Sequence, residues 1–127
     1  MKFLIIALSF LSSTASAQIW DYLITSSAGT AYFIDPASIQ KKDGVVNYTQ
    51  LINYPNGYDS ENKKIHSIQQ VKQIDCIKGL IKTVSMIAYE NENAKGNILT
   101  LSVGREYKWM KVNENSVSSV YRDEICK

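Results

Sequence analysis

The 127-residue sequence predicts an α+β fold: about six antiparallel strands in one sheet, with one C-terminal helix packed on a face and tethered by a disulfide. Three observations predict it. Apolar residues fall into short strand-like segments separated by turn-forming residues. The period becomes helical after Ser116. Two cysteines are present, and the second lies near the end of the helical stretch.

The strands follow in order. Trp20 to Thr25 alternates, placing Trp20, Tyr22 and Ile24 on one face. Ala31 to Ile34 is a second short strand, and Asp35-Pro36 then starts a turn, because proline fixes φ and removes a donor. Lys42-Asp43-Gly44 has the chemistry of a hairpin turn. Val45 to Tyr54 is rich in β-branched and aromatic residues, with Val46, Tyr48, Ile52 and Tyr54 on one face. Pro55-Asn56-Gly57 is expected to break it.

Ile65 to Cys76 alternates imperfectly, which predicts a long strand with a bulge or twist. Cys76-Ile77-Lys78-Gly79 forms a turn. Leu80 to Glu90 is apolar on both faces, the pattern of a central strand covered on both sides. Asn91 to Gly96 is a polar loop. Asn97 to Val103 is the sixth strand, with Leu99, Leu101 and Val103 facing inward. From Ser116 onward, Val117, Val120, Tyr121 and Ile125 fall at helical spacing, and Asn115 or Ser116 can cap the start. A helix this short is marginal alone and must be held by packing.

The first seventeen residues have a different character. Lys2 precedes an apolar run of about nine residues, then polar Ser12-Ser13-Thr14 and the small-x-small triplet Ala15-Ser16-Ala17. That order is a cleavable secretory signal peptide. The run is shorter than the roughly 20 residues of a membrane span, so no stable membrane insertion is expected after cleavage. Gln18 would become the new terminus, where a bacterial lipoprotein needs a cysteine. The expected product is exported, periplasmic or extracellular, and not lipid-anchored, with residues 18–127 as a single domain.

In an oxidising compartment Cys76 and Cys126 are expected to join. Free thiols or a metal site are the alternatives, but neither cysteine has a second cysteine or a histidine at ligand spacing. The bond would close a loop of about 50 residues, for which chain entropy predicts roughly 4 kcal/mol.

Without residues 1–17, thirteen basic residues stand against twelve acidic ones, a net charge of +1. That gives no long-range field for nucleic acid or anionic membrane. The one histidine, His66, lies in a strand segment without a partner for a triad or metal. No nucleotide-binding glycine loop occurs. Glu90-Asn91-Glu92-Asn93 lacks the spacing and turn glycine of a calcium loop and reads as a polar tip. Asp123-Glu124 would point apart on a helix. The chain is therefore read as non-enzymatic, without a cofactor or metal. Of its eight tyrosines and two tryptophans, Tyr48, Tyr54 and Trp20 are assigned to the core, and Tyr58 and Tyr107 to the surface.

The order of features also carries a resemblance. Trp20 is followed by Tyr32-Phe33-Ile34-Asp35-Pro36-Ala37-Ser38-Ile39, a Lys-Lys-Asp-Gly turn and a strand ending in Asn53-Tyr54. Then come Ser67, Ile74-Asp75-Cys76, a strand bearing Tyr89, a turn bearing Gly96, Trp109, Ser116 and a helix ending in Cys126. Residues 18–127 thus resemble the surface-adhesin protein E family of small exported proteins from Gram-negative bacteria. The resemblance implies a six-stranded antiparallel sheet with the helix tethered on its concave side by Cys76 and Cys126. It also implies an adhesin-like protein that binds host extracellular-matrix or serum proteins, and it leaves a homodimer open. It assigns no binding residue. An accessory interaction protein or small inhibitor of the periplasm is the alternative function.

Overall fold

The computed structural model describes residues 18–103 and 107–127. The expected signal peptide, residues 1–17, lies outside them. One antiparallel sheet is built from β1 (Asp21–Thr25), β2 (Ala31–Lys42), β3 (Val45–Ser60), β4 (Lys63–Asp75), β5 (Leu80–Asn91) and β6 (Lys95–Val103). Each strand pairs with its neighbour in sequence, in the order β1-β2-β3-β4-β5-β6. A two-residue strand, β7 (Met110–Lys111), extends the β5 edge by pairing with Leu80 and Ile81. Helix α1 (Val117–Ile125) follows. The fold is the expected one.

Tight turns hold the meander. Asp43 and Gly44 both have positive φ, 53° and 80°, as the Asp-Gly pair predicts for a two-residue hairpin. Glu61 and Asn62, with φ of 49° and 62°, do the same between β3 and β4. No glycine advertises that turn. It displaces the expected break at Pro55-Asn56-Gly57, which lies inside β3 as an irregularity between the pairs Asn53↔Ser67 and Tyr58↔Ile65. Extra residues looped out of the ladder need no donor, so Pro55 is tolerated, and Gly57 takes φ +78°. Asp35-Pro36 behaves alike. It starts a bulge within β2, between Asp35↔Thr49 and Gln40↔Asn47, not the end of the strand.

A bulge also corrects the first strand. Tyr22 pairs with Phe33 and Ile24 with Tyr32, so Leu23 is the extra residue. Tyr22 and Ile24 therefore face opposite sides and not one, because a one-residue slip inverts the alternation.

Helix α1 lies over one face of the sheet. Ser116 caps it: its hydroxyl accepts from the Ser119 N–H, and the Ser119 hydroxyl accepts from the Ser116 N–H. Tyr121 and Ile125 project into a core of Ile34, Val46, Tyr48, Ile74, Ile81 and Val112. Burying each of these large side chains contributes about 1.5–3 kcal/mol. A second, smaller cluster of Ile65, Ile68 and Ala88, flanked by Tyr54, Met86 and Leu99, occupies the other half of the helix face. Between them runs a polar row in which Tyr48 Oη donates to Gln50 Oε1 and Gln50 Nε2 to Gln70 Oε1.

The opposite face carries no further helix or strand layer among the described residues, although the β5–β6 turn folds over Asn53 and Ser67, and Leu51 is buried at its centre. This overturns the expectation that β5 is covered on both sides. Val84 is exposed and Ile87 half-buried. Nor does Leu101 face inward: it pairs with Ile87 on the open face and is 59% exposed. Leu99 does join the second cluster, because a register shift beside Tyr89 changes the alternation of β6. The side chain of Val103 is outside the described ones.

Candidate functional site

The residues that carried the resemblance are structural ties. Cys76 and Cys126 are joined, with Cα atoms 5.7 Å apart. Asp75 shapes the approach, its Oδ1 accepting from the N–H groups of Ile77 and Lys78, so the chain turns just where the bond attaches. The Asp35-Pro36-Ala37-Ser38 segment closes its own bulge. Ala37 N–H donates to Asp35 Oδ1, Ser38 Oγ donates to the Asp35 carbonyl, and Ser38 Oγ accepts from Thr49 N–H. Asp35 is buried because those bonds satisfy it.

Asn53 and Ser67 anchor the turn between β5 and β6 from beneath. Asn53 Nδ2 donates to Asn93 Oδ1, and Asn53 Oδ1 accepts from Asn93 N–H. Ser67 Oγ donates to the Asn91 carbonyl at 2.5 Å and accepts from Ala94 N–H. The Glu90–Asn93 tip is thus a pinned hairpin, with Asn93 and Ala94 at positive φ. His66 is tied into the same region, its Nδ1 lying 2.8 Å from the Glu90 carbonyl.

Under the helix, Tyr48 and Tyr121 stack with centroids 5.4 Å apart. Burial pushes both phenols far above the ordinary tyrosine range, so they are neutral hydrogen-bond donors. Tyr54, less deeply placed, is pushed up to about 12 by burial and by the neighbouring Tyr32 and Tyr58 hydroxyls. Burial pulls the Lys72 ammonium down, while its Nζ donates to Thr83 Oγ1. Arg122 grips Glu114 with two parallel bonds of 2.5 and 2.8 Å; that hydrogen bond holds the Glu114 carboxyl below its usual range. The pair is exposed and adds little stability.

Among the described residues no three His, Cys, Asp or Glu side chains gather closely enough to hold a metal. Asp123 and Glu124 sit on the exposed side of α1, where Asp123 pairs with Arg122 and Glu124 with Lys127. The surface assignment holds for Tyr58, which is 50% exposed, whereas Tyr107 is half-buried and its hydroxyl meets that of Ser102 at 2.8 Å. Tyr48 is buried as expected; Trp20 and Tyr54 are half-buried.

What brings side chains together as a surface is the open face. Register places Tyr22, Phe33, Leu51, Gln69, Ile87 and Leu101 in one row across all six strands. The row on one side is Thr25, Ala31, Asn53, Ser67, Tyr89 and Ile98. Asn53 and Ser67 are buried beneath the β5–β6 turn, and Leu51 of the first row is buried too, so the accessible part lies towards the two sheet edges. On the other side Asp35, Thr49, Val71 and Ser85 form the third row. Asp35, the one charged residue of these rows, is buried on its own backbone. These three rows therefore form a patch without an exposed charge, bounded beyond Val71 and Ser85 by rows that bring in Lys82, Lys42 and Asp75. Tyr22 packs edge-on against Phe33 at 5.7 Å, and Tyr22, Ile98 and Leu101 are each more than half exposed. An uncharged, partly aromatic patch of this kind suits protein contact. The signal was present in the two-sided apolarity of Leu80 to Glu90, which reads equally as a covered strand.

Comparison with known proteins agrees with this architecture. The family model described as "Surface-adhesin protein E" matches residues 20–127. Crystal form II of Haemophilus influenzae protein E superposes with a TM-score of 0.66 at 17% identity, covering 84% of this chain and 86% of that one. Protein E from non-typeable Haemophilus influenzae gives 0.64 at 17% identity, covering 89% and 78%. At that identity the likeness is one of fold. No curated protein sequence matches the chain significantly.

Proposed function

Because the chain belongs to the surface-adhesin protein E family, we propose that it is an exported, non-enzymatic binding protein that recognises a host extracellular-matrix or serum protein through the open face of its sheet. The observation that carries this reading is the absence of exposed charge across the three in-register rows, combined with the exposure of Tyr22, Ile98 and Leu101. Desolvating such a face costs little, and aromatic and aliphatic side chains supply most of the energy of protein contacts. The family's motif residues hold bulges, turns and the disulfide. The ligand contacts are therefore assigned to residues outside those motifs. Among the described residues no helix is long and apolar enough to cross a membrane. The leader at 1–17, ending at Ala17 before Gln18, supports export without a lipid anchor.

Two experiments test it. Protease shaving of intact cells, with a periplasmic protein as control, locates the mature chain. Loss of this protein while the control survives supports adhesion. Protection until the outer membrane is opened replaces adhesion with a periplasmic accessory role. Direct binding to immobilised matrix and serum proteins is then compared for the native chain and Ile98→Lys with Leu101→Lys. The paired lysines sit on exposed positions and should leave the melting temperature within about 2 °C. Binding should fall at least about tenfold; unchanged binding removes this face from the reading.

A further inference from the structure

The half of the helix face that α1 leaves uncovered contains a cavity of about 320 Å³. Its floor is the second apolar cluster, Ile65, Ile68 and Ala88, with the Met86 side chain beside it. Tyr54 and Tyr58 form an aromatic wall, their rings 5.3 Å apart and inclined by 32°. Ser60, Glu61 and Thr100 complete the lining, and Glu61 is its single charged residue. Glu61 sits in the left-handed turn at the cavity's rim.

An apolar floor disfavours strongly hydrated ions. A carboxylate with no lysine, arginine or histidine among the lining residues favours a cation. Two tyrosine rings present negative π-faces that attract one. A primary ammonium could find acceptors at Glu61, Ser60 and Thr100, but its compact charge is strongly hydrated and loses more over the apolar floor. A trimethylammonium group has no N–H donor, spreads its charge over methyl surface, and fits the volume. We propose that this cavity binds a small, soluble quaternary ammonium ion of the choline type. Its methyl groups rest on Ile65, Ile68 and the tyrosine wall, and Glu61 balances its charge.

The test is independent of adhesion. Binding of choline to the mature protein is measured by calorimetry and by amide chemical-shift perturbation. It is compared with 3,3-dimethyl-1-butanol, which has the same shape without the charge. Choline should bind with shifts centred on Tyr54, Tyr58 and Ile68, and the alcohol at least about fivefold more weakly. Glu61→Gln and Tyr58→Leu alter exposed positions, and each should weaken choline about fivefold or more. Glu92→Gln, on the neighbouring hairpin, should change nothing. Equal binding of choline and the alcohol overturns the proposal, as does absence of choline binding at millimolar concentration. Retention by phosphatidylcholine vesicles without binding of free choline would also overturn it.

Discussion

The hydroxyl of Tyr121 donates to the main-chain carbonyl of Phe33, 2.7 Å away and 88 residues earlier in the chain. The bond ties the helix to β2 beside the Leu23 bulge. Tyr121→Phe keeps the ring stacked on Tyr48 but removes the donor. It should destabilise by about 1–3 kcal/mol, because a half-buried carbonyl loses its partner. Thermal unfolding should show a fall of roughly 4 °C or more. An unchanged melting temperature would mean that water replaces the hydroxyl without loss.

Cys126→Ser opens the bond at the end of α1. Stability should fall by roughly 2–5 kcal/mol in urea unfolding under oxidising conditions. Cys76→Ser should match it, and the double variant should be no worse than either. A double variant much less stable than both would show that the side chains contribute by packing as well as by cross-linking.

Alkaline pH should loosen the helix face. The folded pKa values of Tyr48 and Tyr121 lie above their unfolded value near 10, so the native state holds two protons that the unfolded chain releases. Their stabilisation is intact below pH 10 and is lost as pH rises beyond it. Above pH 10 each phenol that stays protonated in the fold lowers stability by up to about 1.4 kcal/mol per pH unit. Urea midpoints measured from pH 8 to 11 should be level and then fall. Tyr121→Phe should flatten the fall.

Asn53→Ala and Ser67→Ala each strip the underside of the β5–β6 turn. Both residues are buried and make paired bonds to Asn93, or to Asn91 and Ala94. Either change should cost about 1–3 kcal/mol and speed hydrogen exchange at Asn93 and Ala94. The double variant should cost less than the sum, since the two share one turn.

The helical spacing after Ser116 and the paired cysteines are local signals that appeared where expected; strand periodicity located the six strands but misplaced faces in β1, β5 and β6. What escaped was where strands do not end. Asp35-Pro36 and Pro55-Asn56-Gly57 carry turn chemistry, yet β2 and β3 pass through both. A bulge and a turn use the same residues; only the pairing of the next strand distinguishes them. The actual turn at Glu61–Asn62 has neither glycine nor proline. The slip at Leu23 likewise sent Tyr22 to the open face, which alternation alone cannot reveal. The open face was visible only as unexplained apolarity in β5, and the tyrosine-walled cavity needs residues from β3, β4, β5 and β6 that no linear spacing connects.

The sequential strand order has a kinetic consequence. Each pairing in β1-β2-β3-β4-β5-β6 closes only a short hairpin, a step of microseconds, so the sheet can zip along the chain with little loop entropy to overcome. The Cys76–Cys126 and Tyr121–Phe33 links span 50 and 88 residues and need the helix to return across strands already in place. Refolding should therefore proceed sheet first and helix last, and α1 should be the first element to detach when the chain is reduced.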